Sequence, residues 1–154
     1  MQYTKYGTKA LAIQADISNL GKIRIMFATT LKELKKMDII VANAGVEVVY
    51  LPAIDITEED YDKLFTINTK GAFLTVQGGA KHAGDNGRII YISSSTITNI
   101  LEGKALYGSS KLAPMYLVEV LAKEIGQYKQ LEEIGMDIQP LHLRIVSAAL
   151  LSSC

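Results

Sequence analysis

Among 154 residues there is a single cysteine, and it is the last one, Cys154. A disulfide framework is thereby excluded, and a zinc site built on several thiolates has no ligands to draw on. Neither sign of charge is in excess: 16 basic residues stand against 16 acidic ones. A nucleic-acid partner calls for a basic patch, and none stands out. Long apolar runs are missing too, and none approaches the roughly 18 residues that a membrane span requires. Met1 is followed by polar residues, not by the apolar core of a signal peptide. There is no internal repeat and no low-complexity tract. His82 and His142 have no partners at metal-ligand spacing, so no metal is expected and both read as surface residues. These absences fit a reducing compartment, and a cytoplasmic protein is the expectation. What is present, 49% apolar and 21% charged residues, suits one domain with a real core.

The apolar pattern orders the chain. "ALAIQAD" (10–16) reads as a short strand that ends in an aspartate. Over 19–36, Leu20, Ile23, Phe27, Leu31 and Leu34 recur at helical spacing. "MDIIVANAG" (37–45) is a buried strand running into a small-residue turn. Thr57 and Asp60 resemble a capping box and open a long helix to about residue 82. The acidic run Glu58–Glu59–Asp60 complements the positive end of that helix. "GDNG" then breaks the chain, "RIIYISS" (88–94) is another buried strand, and "ALYGSSKLAPMYLVEVLAKEIGQ" is a final helix. Met26, Met115 and Met136 read as core or gap filling. Alternation of strand and helix predicts α/β: a parallel, Rossmann-like three-layer sheet with flanking helices. The runs "IIVA" and "IIYI" are nearly continuous, which suits strands covered on both faces.

In open α/β sheets ligands bind beyond the carboxyl ends of the strands. Polar residues sit at those ends: Asp16, Asn43 and Ser94. Tyr107 and Lys111 lie four apart on one helix, so they share a face. A cation beside a phenol is an acid/base device when it draws the phenol pKa down toward working pH. Each residue also has an ordinary reading. Asp16 serves equally as a cap for the next helix. Ser93, Ser94 and Ser95 together also suit a turn. Asn68 also reads as a bend in its helix, where asparagine is mildly unfavourable. Asn43 and Gly45 also suit a tight turn. Pro114 stands inside the last helix, where the missing hydrogen bond costs about 3 kcal/mol unless the helix bends. The sequence offers no compensation for it.

These motifs, in this order, resemble the central piece of a short-chain dehydrogenase/reductase. "ADIS" resembles that family's Asp motif, and "ANAG" its Asn-Asn-Ala-Gly motif with Ala42 in place of the first Asn. "INTKGAF" resembles the helix motif with the catalytic Asn. "RIIYISSS" followed by Tyr-x-x-x-Lys resembles the Ser–Tyr–Lys core, with Ser94 thirteen positions before Tyr107 as the family has it. The resemblance runs from about residue 7 to 127, which sets the expected units: 1–127 a partial dinucleotide-binding and catalytic domain, and 128–154 a divergent tail. It implies an NAD(P)-dependent oxidoreductase that reduces a carbonyl or oxidises a secondary alcohol. Tyr107 is then the general acid or base. Lys111 lowers its pKa and holds the cofactor ribose. Ser94 bonds the substrate oxygen, and Asn68 anchors a water of a proton relay. Asp16 meets the adenine, and Asn43, Ala44 and Gly45 line the cofactor site. "GVEVVYLPAID" and "STITNILEGKA" are expected to border the pocket, with an apolar small molecule as substrate.

Two family features have no counterpart in this sequence. One is the Gly-rich turn that holds the cofactor pyrophosphate at a helix N-terminus. The other is the strand and Pro-Gly loop that follow the last helix. The expectation is therefore an incomplete fold, with the 10–15 strand re-paired or loose and with weak or no cofactor binding by this chain alone. Association through the helices at 58–82 and 105–126, as a homo-oligomer or a dimer, is expected. A second function follows from the same gap: a catalytically inactive remnant that only associates with intact relatives. A flavodoxin-like binding domain is a weaker third, since it gives no reason for the Ser94–Tyr107–Lys111 spacing.

Overall fold

The computed structural model describes residues 7–84 and 87–128. The expectations for Met136, His142 and the tail after Tyr128 lie outside the described residues. Helix α1 spans Leu20–Leu34 and is followed by strand β1, Ile39–Ala42. Helix α2, Glu58–Leu64, continues through a π-helical segment, Phe65–Gly71, into α3, Ala72–His82. Strand β2, Arg88–Tyr91, and helix α4, Ala105–Tyr128, complete the order. Among the described residues no helix is long and apolar enough to cross a membrane.

β1 and β2 pair in parallel, Ile39 opposite Arg88 and Ala42 opposite Tyr91. Two parallel strands joined through a helix form the crossover unit of a Rossmann-like sheet, here incomplete. β-branched Ile39, Ile40 and Val41 favour the extended chain. Ile40, Ala42 and Ile89 turn inward and meet Ile23 and Phe27 of α1, Val76 and Ala80 of α3, and Ala122 and Ile125 of α4. Gly78 lets α1 approach α3 closely, since a Cβ there would lie 2.5 Å from the Phe27 ring.

Three expectations are corrected. The 10–16 stretch is not a regular strand: Leu11 makes an isolated bridge and the rest is irregular. Its burial still alternates, so the chain is extended, but among the described residues no ladder runs along it. The apolar run of β1 is covered on one face only among the described residues. Ile39 and Val41 point the other way and are 61% and 52% exposed. Finally, Asp16 does not cap α1. Asn19 does, its side chain accepting from the Lys22 N–H at 3.1 Å.

The capping box at Thr57 is present, with Asp60 in the place that usually prefers Glu or Gln. Asp60 N–H donates to Thr57 Oγ1 at 3.1 Å, and Thr57 N–H donates back to Asp60 Oδ2 at 3.3 Å. His82 is exposed, as expected, and packs beside Phe27 with ring centroids 5.5 Å apart. Met26 and Met115 are part-buried, and Met26 packs against the core.

Candidate active site

The chain leaves β1 through Asn43, Ala44 and Gly45, all exposed. It leaves β2 through Ile92, Ser93 and Ser94 into a short 3₁₀ turn, Ser95–Ile97. Ser94 heads that turn. Its Oγ accepts from the Thr96 N–H at 3.2 Å and from the Thr96 hydroxyl at 2.9 Å, which leaves its own proton to donate. The turn reading of the serine cluster therefore holds alongside any chemical role. The Ser93 hydroxyl is buried and has no partner among the described residues.

Asn68 is fully buried in the π-helical segment. Widened turns of this kind are rare and recur at functional sites. Its amide makes three hydrogen bonds. Oδ1 accepts from the Val46 N–H at 2.8 Å, and Nδ2 donates to the Val46 carbonyl at 2.8 Å and to Ser110 Oγ at 3.0 Å. The Asn68 side chain thus ties the loop after β1 to helix α4. Both amide N–H groups are spent, so a relay water finds only the second lone pair of Oδ1 there.

Lys111 is 4% exposed. Its ammonium makes one long contact, 3.5 Å to the Ile92 carbonyl, and lies 5.7 Å and 5.9 Å from the ring centroids of Tyr91 and Tyr107. A Cβ on Gly45 would sit 2.9 Å from Lys111 Nζ and 3.0 Å from Asn68 Oδ1, so a larger residue there would push the ammonium aside. Burial holds the Lys111 ammonium below its ordinary pKa, and the Glu47 carboxylate works against that. Tyr107 is half-buried. Burial pushes its phenol up, while its hydrogen bond with Ser94 draws it down. Glu47 adds a smaller upward push and Lys104 a smaller downward pull. The expected depression of Tyr107 by Lys111 is thus not what this geometry produces. Net burial dominates, and Ser94 and Lys104 supply the downward pull. Tyr91 is also raised, by burial first and then by the neighbouring Tyr107.

Four sequence-predicted residues therefore come together: Asn68, Ser94, Tyr107 and Lys111, with Gly45 against two of them. Asn43 and Ala44 stand at the same strand end. Asp16 stands apart from them, exposed, its carboxylate accepting from the N–H and hydroxyl of Ser18 at 2.9 and 2.7 Å. Both bonds hold its carboxyl below the ordinary range. Sequence reasoning passed over Ser110, Tyr91, Thr69, Glu47 and Lys104. Of these, only Ser110 carried a signal, a small hydroxyl directly before Lys111.

An open cavity of about 600 Å³ lies beside the cluster. Tyr50, Pro52 and Ile54 form one wall, and Ile97, Ile100 and Leu101 the other. It reaches Thr96, the partner of Ser94, and Gly108, the neighbour of Tyr107. Lys104 joins the two walls by donating to the Glu47 carboxylate and to the Val49 carbonyl. The Leu51 N–H donates to the Gly103 carbonyl at 3.1 Å. Both loops expected at the pocket are there.

Ser94 follows the carboxyl end of β2, and Tyr107 and Lys111 stand beside it on α4, with the buried Asn68 behind them. The family model described as short chain dehydrogenase matches residues 1–135. The chain belongs to the short-chain dehydrogenase/reductase family, whose members use NAD(P). It is 39% identical over 126 residues to a short-chain dehydrogenase/reductase of Pestalotiopsis microspora, covering 81% of this chain and 47% of the relative. It is 35% identical over 130 residues to a hydroxynaphthalene reductase-like protein of Metarhizium brunneum, with 83% and 48% covered. Among solved structures, a short-chain dehydrogenase from Burkholderia cenocepacia in complex with NADP superimposes with TM-score 0.75 at 28% identity. That match covers 86% of this chain and 51% of the other. A short-chain dehydrogenase/reductase from Serratia marcescens gives TM-score 0.74 at 28% identity, with 80% and 51% covered. The chain spans about half the length of the relatives it matches.

Proposed function

We propose that this chain carries the acid/base half of an NAD(P)-dependent oxidoreductase acting on an apolar ketone or secondary alcohol. The observation that carries the reading is the meeting of Ser94, Tyr107 and Lys111 in front of the Asn68 tie, beside an apolar cavity. In reduction Tyr107 gives its proton to the carbonyl oxygen; in oxidation it takes the alcohol proton. A phenol held above its ordinary pKa arrives protonated, which suits the reductive direction. Ser94, whose hydroxyl bonds the Tyr107 phenol, turns its proton to the same oxygen. When bound, the nicotinamide supplies or accepts the hydride.

The residues present fit one end of such a cofactor. Lys111 is a buried ammonium with a single long contact, and it suits ribose hydroxyls as acceptors. Gly45 leaves the backbone open beside it. For the pyrophosphate the sequence has no Gly-rich turn. Asp16 as an adenine contact, and Asn43 and Ala44 as cofactor neighbours, belong to this reading. The cavity walls favour a flat apolar substrate, in keeping with the hydroxynaphthalene reductase-like name of one relative.

The test is loss of reduced-nicotinamide absorbance when the chain meets NADPH or NADH and a bicyclic aromatic ketone. Tyr107→Phe should lower the rate about 10²–10⁴-fold, the usual worth of a positioned proton donor. An unchanged rate removes Tyr107 from its role. A second reading is favoured by exposed apolar residues on the helices, Phe73, Leu112 and Tyr116. In it the chain is a non-catalytic remnant associating through the 58–82 and 105–126 helices. No turnover, no heat on titration with either dinucleotide, and a dimer in sedimentation would select it. Micromolar dinucleotide affinity would exclude it.

A further inference from the structure

Pro114 lies within α4 and is fully buried. In a regular helix the N–H at 114 bonds the carbonyl at 110, and proline has none to give. The Ser110 carbonyl is nevertheless satisfied: Thr69 Oγ1 donates to it at 2.9 Å. One residue further, the Tyr91 hydroxyl donates to the Lys111 carbonyl at 3.2 Å. Asn68, adjacent to Thr69, holds the Ser110 hydroxyl at 3.0 Å. Two consecutive residues of the π-helical segment thus grip the hydroxyl and the carbonyl of Ser110, and Tyr91 of β2 grips Lys111. Ser110 is fully buried, so water does not replace a lost partner.

A regular helix keeps its carbonyls for itself. Pro114 releases one of them at the turn that carries Lys111, and a neighbouring element takes it. We propose that Thr69 is a positioning residue for Lys111: its bond to the carbonyl freed by Pro114 locks the catalytic turn of α4 against the Asn68 helix. The proposal rests on the acid/base reading of Lys111. It concerns how that ammonium is held between the Tyr91 and Tyr107 rings, not whether turnover occurs.

Ring currents from those two tyrosines should displace the NMR resonance of the Lys111 εCH₂ group, and Lys111→Arg would assign it. In the full 154-residue chain, Thr69→Val should move that resonance toward the position of an exposed lysine and lower the urea midpoint. Thr69→Ser should restore both. In a Pro114→Ala background the backbone N–H regained at that position takes the Ser110 carbonyl, so the same Thr69→Val change should have less than about half its effect on each. Equal effects in both backgrounds overturn the proposal. So does a lower midpoint with the Lys111 resonance unmoved, since that is a structural role alone. If Thr69→Val does not fold, the double variant decides: a folded double variant supports the proposal and an unfolded one overturns it. None of these readouts uses activity, so an inactive chain sinks the functional reading and leaves this one standing.

Discussion

Lys111 keeps an ammonium where water barely reaches, and among the described residues no carboxylate bonds it directly. Burial lowers its pKa from 10.5, so the folded chain binds this proton less tightly than the unfolded one. The unfolded state therefore holds more protons between the lowered value and 10.5, and stability rises with pH across that window. Lys111→Met removes a charge that opposes folding. It should stabilise the chain at neutral pH, with the advantage over wild type shrinking as pH approaches 10.5. Urea titrations of both proteins across that range check it; a constant difference would refute the burial argument. Glu47 pushes the pKa of both Lys111 and Tyr107 upward. Glu47→Gln should consequently move both downward, read by NMR titration of the lysine and phenol carbons. Opposite movements would show that the Glu47 charge is not felt at the site. Tyr107 and Lys111 were legible as candidates because four residues make one helical turn. Their pKa directions were not, because desolvation depends on what other elements lay over them.

Helix starts here follow local chemistry: the Thr57 cap was readable in advance, whereas the α1 cap falls to Asn19 and not to Asp16. Asn19 and Thr57 each accept from a first-turn N–H, and such caps are worth about 1 kcal/mol. Thr57→Ala should lower the thermal midpoint by an amount equivalent to about 1 kcal/mol, without changing α4. The far end of α1 is less comfortable. Lys35 closes it at φ 74°, a region that costs an L-residue roughly 1–2 kcal/mol. Lys35→Gly should raise stability by about 0.5–1 kcal/mol once the larger chain entropy of glycine is subtracted. A lower midpoint would mean that the lysine side chain repays the strain. The residue pattern predicts an uninterrupted long helix to about residue 82, whereas the helix widens over Phe65–Gly71. Nothing in "FTINTKG" announces this except the asparagine. The widened turn is the one that presents Asn68 and Thr69 to Ser110.

The assembled sheet has two strands among the described residues, and one of its faces carries the core. The other face shows Ile39 and Val41 to solvent. A short parallel pair with apolar side chains outside is a site for unwanted pairing. Val41→Lys with Ile39→Lys should lower the tendency to aggregate, measured by light scattering, at little cost to the urea midpoint. A large loss of stability would show that this face is covered in the folded chain.

Order, class and chemistry of the elements were readable from the residues alone: period 3.6 in the helices, the nearly continuous apolar runs of β1 and β2, and Ser94, Tyr107 and Lys111 at spacings set by a strand end and one helical turn. Those are local properties, and local sterics and hydrogen bonding carry them. Three things needed the folded chain. The 10–16 stretch needed it because a strand exists only with a ladder to join. The tie from Asn68 to Val46 and Ser110 spans 22 and 42 positions, which no local pattern encodes. Pro114 became intelligible only when Thr69, far away in the chain, was found donating to the carbonyl that the proline leaves free.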